Sequence, residues 1–293
     1  MLRLKPVVTD RIFNEETLHF MKRTGFKVDC ILTSPPYNTC RALTSEHARN
    51  THQGRYDIYT DTKTPDEYIK WTLELFKWFD VHLKSNGVIL YNVSYSSDRS
   101  GNSTNNDTVW AMISSILSKT EFTVADKIVW KKSSALPNNT SPNSLTRICE
   151  DIFVFCRKSE LKTFYCNKEV SSVRESGQKM YRSIMNFIQA RNNDGSCALN
   201  KATFSSDLVK QLLYLYCPKG GLVFDPFMGT GTTAVGAIQL GMHYVGTELS
   251  SAQCDYARER LNKYENSEIC GAVNKTPTKL AEDLNSADLQ LSD

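Results

Sequence analysis

Leu222-Val223-Phe224-Asp225-Pro226-Phe227-Met228-Gly229-Thr230-Gly231-Thr232-Thr233-Ala234 joins a short apolar strand to a glycine-rich turn and the first residues of a helix. The Gly229-x-Gly231-x-x-Ala234 spacing is that of a turn whose backbone can come close to a nucleotide. A helix is predicted from Thr232 to Leu240, stopped by Gly241, and a strand over Tyr244-Val245-Gly246. Glu248 ends that strand 19 residues after Gly229, where a carboxylate can accept hydrogen bonds from both hydroxyls of a ribose. No Lys-Ser/Thr pair follows the second glycine, which excludes a P-loop. Taken alone, the segment fits a dinucleotide, another adenosine cofactor, or a glycine-rich helix start that merely packs well.

The rest of the chain continues an alternation of strands and helices. Asp29-Cys30-Ile31-Leu32 reads as a buried strand ending in a proline-rich loop. Thr64-Pro65-Asp66-Glu67 opens a helix with a capping box. Tyr68, Trp71, Thr72, Leu75 and Phe79 give that helix one buried face, and Asn86-Gly87 is expected to end the unit before a strand over Val88–Val93. Ser94 to Asp107 reads as a loop, followed by a helix near Val109–Leu117 and strands near Val124–Trp130 and Ile152–Cys156. A helix over Asp207–Tyr216 precedes the glycine turn, and Ser250 with Gln253 opens a last helix that runs to about Glu265.

Composition narrows the function classes. The 293 residues are 40% hydrophobic, enough for a substantial core, and a formal charge of +3 permits a nucleic-acid partner through a local patch without demanding one. The nine cysteines include no CxxC pair and no zinc-ligand spacing, so no metal is expected and the thiols read as those of a reduced, cytoplasmic protein. No apolar run approaches the length of a membrane span.

Thr33-Ser34-Pro35-Pro36-Tyr37 follows the first strand, at the same sheet edge as the glycine turn, where ligands of doubly wound sheets bind. An isolated Pro-Pro-Tyr is more often a rigid turn or a proline-rich ligand. Together, however, this tetrapeptide and the Asp-Pro-Phe-x-Gly-x-Gly-Thr-Thr loop resemble the β-class S-adenosylmethionine-dependent DNA amino-methyltransferases. Ser34 precedes Asp225 by 191 residues, which is the β-class order. Glutamine methyltransferases of release factors place the cofactor loop first. Ring-carbon methylation would use a cysteine after proline, and Cys30 and Cys40 only flank the loop. The resemblance implies a Rossmann-like doubly wound mixed α/β sheet in permuted methyltransferase order, carrying a DNA-recognition insertion. Residues 1–158 would form the catalytic half, 159–200 the insertion, 201–266 the cofactor half and 267–293 a flexible tail.

The resemblance also assigns roles. Ser34 and the Pro35 carbonyl would accept hydrogens from a base amine, Pro36 would hold that carbonyl in place, and Tyr37 would stack on a base flipped from duplex DNA. S-adenosylmethionine would be held by Asp225, Pro226, Phe227, Gly229, Gly231, Thr232, Thr233 and Glu248. Phe204 packs beside the cofactor in the family, although Phe204-Ser205 stands here where Phe-Pro is usual, and Glu16 occupies the place of an acidic residue near the adenine. Ser34 at the head of the tetrapeptide favours cytosine N(4) over adenine N(6), and Trp130-Lys131-Lys132 with Arg147 and Glu150 resembles the cytosine-amine enzymes. Arg41, Arg55, Lys132, Arg147, Arg174, Lys179, Arg182 and Arg191 are the candidate DNA contacts. Duplex DNA is the expected partner, and a homodimer and a cognate restriction endonuclease acting on the same site are left open. A nicotinamide oxidoreductase using Gly229 and Gly231, and a DNA-binding protein without catalysis, are the readings from other classes.

Overall fold

The computed structural model describes residues 5–6, 8–38, 63–94, 105–135, 142, 145–195, 200 and 203–265. Arg41 and Arg55, most of the loop that holds them, and the tail beyond residue 265 lie outside the described residues.

Eight strands form one sheet. In chain order the elements are β1 (Arg11–Asn14), α1 (Thr17–Arg23), β2 (Val28–Thr33), α2 (Pro65–His82), β3 (Leu83–Val93), α3 (Asn105–Lys119), β4 (Phe122–Lys132), β5 (Cys149–Arg157), the small hairpin β6 (Val170–Val173) and β7 (Lys179–Tyr181), β8 (Phe187–Ala190), α4 (Ser206–Tyr216), β9 (Leu222–Asp225), α5 (Thr232–Gln239), β10 (His243–Glu248) and α6 (Ser251–Glu265). The sheet order is β8-β4-β5-β3-β2-β9-β10-β1, with every pairing parallel except those made by β5.

Strand alternation sorts side chains between two cores. Cys30, Leu32, Val88 and Leu90 face α4, α5 and α6 in one cluster, while Ile31, Ile89 and Tyr91 face α1, α2 and α3 in the other. The second core is aromatic: Phe76 lies 5.4 Å from Tyr91 and 5.0 Å from Phe155, both edge-on. A sheet covered on both faces explains why its strands read as continuous apolar runs rather than alternating ones.

The capping box of α2 is complete, with Glu67 N–H donating to Thr64 Oγ1 and Thr64 N–H to Glu67 Oε2. The helix stops earlier than Asn86-Gly87. Leu83 already pairs with Val28, and the ladder resumes at Cys30 and Val88 after an irregularity that holds Asn86 at φ 61°. Asn86-Gly87 is therefore a bulge inside β3 rather than a helix stop, and a Cβ at Gly87 would stand 2.9 Å from the Asp29 carbonyl. A second departure from expectation is β8. It falls within the stretch predicted as an insertion, yet it joins the sheet edge in parallel with β4, whereas β6 and β7 pair with each other in a separate two-stranded sheet.

β2 and β9 are neighbours at the centre. From β2 the chain goes on to α2 on one face, and from β9 to α5 on the other. A crevice opens beyond their carboxyl ends, the usual ligand site of such a sheet.

Candidate active site

The crevice is open to solvent and lined by residues from both halves of the chain. Ser34, Pro35, Pro36 and Tyr37 from the β2 loop line it together with Asp225, Phe227, Met228, Gly229, Thr232, Thr233 and Glu248 from the β9–β10 segment, and Phe204 from the segment before α4. Two loops whose residues Ser34 and Asp225 lie 191 positions apart thus share one cavity.

Asp225 ties them. Its carboxylate accepts from Thr33 Oγ1 at 2.9 Å, from Thr233 Oγ1 at 2.5 Å and from the Phe227 N–H at 3.0 Å, and it is 2% exposed. Burial pushes the carboxyl up to about 6, against the pull of those three donors, and the nearby Glu248 charge adds to the rise. Asp225 therefore clamps the end of β2, where the Ser34–Tyr37 segment begins, to the glycine turn.

The turn needs its glycines. Gly229 and Gly231 adopt φ 54° and 83°, a region that side-chain-bearing residues rarely enter, and Gly231 stands immediately before α5. Glu248, at the end of β10, accepts from the Gly229 N–H at 2.8 Å through one oxygen and from the Ser250 N–H at 2.9 Å through the other. Positive-φ glycines beside a carboxylate at the end of the next strand fit an adenosine cofactor.

On the catalytic side, Ser34 Oγ donates to Tyr37 Oη at 2.9 Å, Tyr37 Oη donates to Glu150 Oε2 at 3.1 Å, and Asn92 Nδ2 donates to both Tyr37 Oη and Glu150 Oε2 at 3.0 Å. Lys132 pairs with the other oxygen of Glu150, its ammonium 5.0 Å above the Trp130 ring. Tyr68 Oη donates to the Pro36 carbonyl at 2.9 Å and fixes the proline pair from α2.

Other predicted residues fall elsewhere. Glu16 is outside the cavity lining; its oxygens accept from the N–H groups of Leu18 and His19 at 3.1 and 2.8 Å, because it is the residue that begins α1. Pro226 takes part through its carbonyl, which accepts from Thr247 Oγ1 at 2.8 Å. Among the predicted DNA contacts, Lys132 belongs to the Glu150 network and Arg147 is exposed just before β5. Arg174, Lys179 and Arg182 gather on the exposed β6–β7 hairpin, where Arg182 pairs with Glu169 at 3.7 Å, and Arg191 pairs with Asp207 at 2.9 Å after β8. Among the described residues no group of three or more His, Cys, Asp or Glu side chains could hold a metal ion, and no helix is long and apolar enough to cross a membrane.

The sequence reading missed Thr33, Asn92, Asn200 and the cavity-facing side chain of Gln253. Asn200 Nδ2 donates to Gln253 Oε1 at 3.0 Å beside Gly229, so Gln253 faces the cavity instead of completing the expected capping box; only its N–H bonds back to Ser250. A polar residue inside the apolar run Val88–Val93 was the one available signal for Asn92.

Known proteins resemble this chain in sequence and in fold. The chain is 25% identical over 266 residues to the orphan methyltransferase M.BamHII of Bacillus amyloliquefaciens, covering 81% of this chain and 89% of that one. Over 135 residues it is 33% identical to the type II methyltransferase M.Cfr9I of Citrobacter freundii, 46% of this chain and 43% of that protein. Among solved structures, the PvuII DNA methyltransferase (cytosine-N4-specific) superposes with a TM-score of 0.62 at 17% identity, covering 94% of this chain and 92% of the other. The M1.HpyAVI–SAM complex superposes with a TM-score of 0.54 at 17% identity, covering 85% and 98%. A family model described as DNA methylase matches residues 28–259, from the strand before the catalytic loop into the last helix, and the chain belongs to that N6/N4 DNA methylase family.

Proposed function

We propose that this DNA methylase transfers a methyl group from S-adenosylmethionine to the N(4) amine of a cytosine flipped from duplex DNA. The observation that carries the reading is the shared cavity: Ser34-Pro35-Pro36-Tyr37 and the Gly229–Glu248 turn line the same crevice. When bound, the cofactor supplies an electrophilic methyl on a sulfonium. The protein's own residues do the rest. A base amine is a weak nucleophile because its lone pair is delocalised into the ring; Ser34 Oγ and the Pro35 carbonyl accept its hydrogens and favour a tetrahedral nitrogen. Tyr68, through the Pro36 carbonyl, keeps the loop in place, and rigid placement of the amine toward the cofactor turn supplies much of the rate. Ser34 at the head of the tetrapeptide favours cytosine.

The exposed hairpin with Arg174, Lys179 and Arg182, together with Arg147, is our choice for the DNA-facing surface, since exposed cations bind phosphates without prior desolvation. Protection of a site also cut by a cognate endonuclease is the biological role this activity fits.

Nucleoside mass spectrometry of plasmid DNA incubated with protein and S-adenosylmethionine tests the reading, with Ser34→Ala as control. N(4)-methylcytosine with the native chain, none with Ser34→Ala, and unchanged cofactor binding in that variant are expected. N(6)-methyladenine would overturn the choice of base, and full activity of Ser34→Ala would overturn the role of the tetrapeptide.

A further inference from the structure

The hydrogen-bond chain behind Ser34 has a forced direction. Glu150 is ion-paired with Lys132 through Oε1, and a carboxylate only accepts. Tyr37 Oη, 3.1 Å from Oε2, therefore directs its single proton to Glu150. Asn92 presents its NH2 to both Tyr37 and Glu150; the reversed amide would set its oxygen against a carboxylate, so this orientation is fixed too. With its proton engaged, Tyr37 can only accept from Ser34, 2.9 Å away. Ser34 has one proton, and it points inward.

We propose that Glu150, held by Lys132 and Asn92, is a positioning residue that acts through Tyr37 to fix Ser34 as a hydrogen-bond acceptor toward the cavity. The site then takes a base edge that carries an amine and rejects one that carries a carbonyl, because a carbonyl would meet lone pair with lone pair. This rests on the reading of Ser34 given above and explains how a hydroxyl, which can donate or accept, is made to do only one. The network does so with Asn92 2% exposed and its Oδ1 buried without a partner among the described residues. An amide kept only for packing has no reason to retain that cost.

A double-mutant cycle tests the inference. Methyl transfer, DNA KM and cofactor Kd are measured for the native protein, Glu150→Gln, Tyr37→Phe and the double variant, with Ser34→Ala as reference. In Glu150→Gln the new amide can donate to Tyr37, whose proton then turns to Ser34 and that of Ser34 to the cavity. A fall in kcat on the order of a hundredfold is expected, with cofactor Kd and DNA KM at native values. In the Tyr37→Phe background the chain is already cut, so Glu150→Gln should add nothing. Equal fold-losses in both backgrounds, or native kcat in Glu150→Gln, would overturn the proposal. Should circular dichroism show that Glu150→Gln does not fold, Tyr37→Phe alone decides. It keeps the aromatic face and removes only the hydroxyl, so a lowered kcat at unchanged Kd supports the proposal and an unchanged kcat overturns it. Ser34→Ala separates the two levels: if it is fully active the underlying site reading fails, whereas an inactive Ser34→Ala beside a fully active Glu150→Gln sinks this inference alone.

Discussion

Asp225 combines two demands that pull its ionisation in opposite directions. Three donors favour the carboxylate, yet complete burial outweighs them and lifts the carboxyl to about 6. An unfolded aspartate titrates near about 3.9, so between roughly that pH and 6 the folded protein binds more protons than the unfolded chain. Stability contributed by this group is therefore lost as pH rises through the window. Asp225→Asn removes the titration and can keep all three hydrogen bonds, because an amide oxygen accepts from Phe227 and Thr33 while its NH2 donates to Thr233 Oγ1. The variant is expected to gain on the native protein as pH rises from 4.5 to 7.5, read as the difference in urea midpoints at each pH. A constant difference would show that burial of this charge is not what the fold opposes. The identity of Asp225 was legible in the sequence, but its clamp onto Thr33 was not, since nothing in a linear chain says that β2 and β9 lie side by side.

Short polar residues at helix starts decide where these elements begin. Ser205 stands where the family usually has proline, a change that removes a rigid turn residue beside Phe204. Ser205 is fully buried, extended at φ −91°, and its hydroxyl accepts from the Leu208 N–H at 3.3 Å, capping α4. Loss of such a cap typically costs about 1 kcal/mol. Ser205→Ala should lower Tm by about 2–4 °C by calorimetry, given the size of the domain; no shift would mean that tertiary packing alone holds the helix start. The capping box and apolar face of α2, and the apolar runs of α4 and α5 with Gly241 after the latter, made these helices readable, because their determinants lie within one or two turns. The bulge at Asn86-Gly87 and the edge strand β8 were not readable: a glycine after asparagine suits a helix stop as well as a bulge, and β8 has only four residues, two of them exposed.

Arg260 joins three parts of the molecule that the sequence keeps far apart. From α6 its guanidinium donates to the Thr230 carbonyl at 3.2 Å and Thr232 Oγ1 at 3.1 Å in the cofactor turn, and it pairs with Asp194, beyond β8. Asp194 in turn accepts from Ser206 N–H at 2.8 Å and Ser206 Oγ at 3.0 Å at the start of α4. The end of the proposed recognition stretch is thus connected to the turn that would bind S-adenosylmethionine through one side chain, which a single sequence shows only as another basic residue on a polar helix. Removing it leaves Asp194 partly buried without its cation and frees the Thr230 carbonyl. Arg260→Ala should cost about 1–3 kcal/mol of stability and weaken cofactor binding by on the order of tenfold, about 1.4 kcal/mol. Arg260→Lys should recover little, because an ammonium cannot serve the carbonyl, the hydroxyl and the carboxylate in the same planar geometry. Calorimetric titration with S-adenosylmethionine beside urea unfolding separates the two effects: a stability loss at native cofactor affinity would make Arg260 a brace for α6 alone and would leave the turn independent of the segment beyond β8.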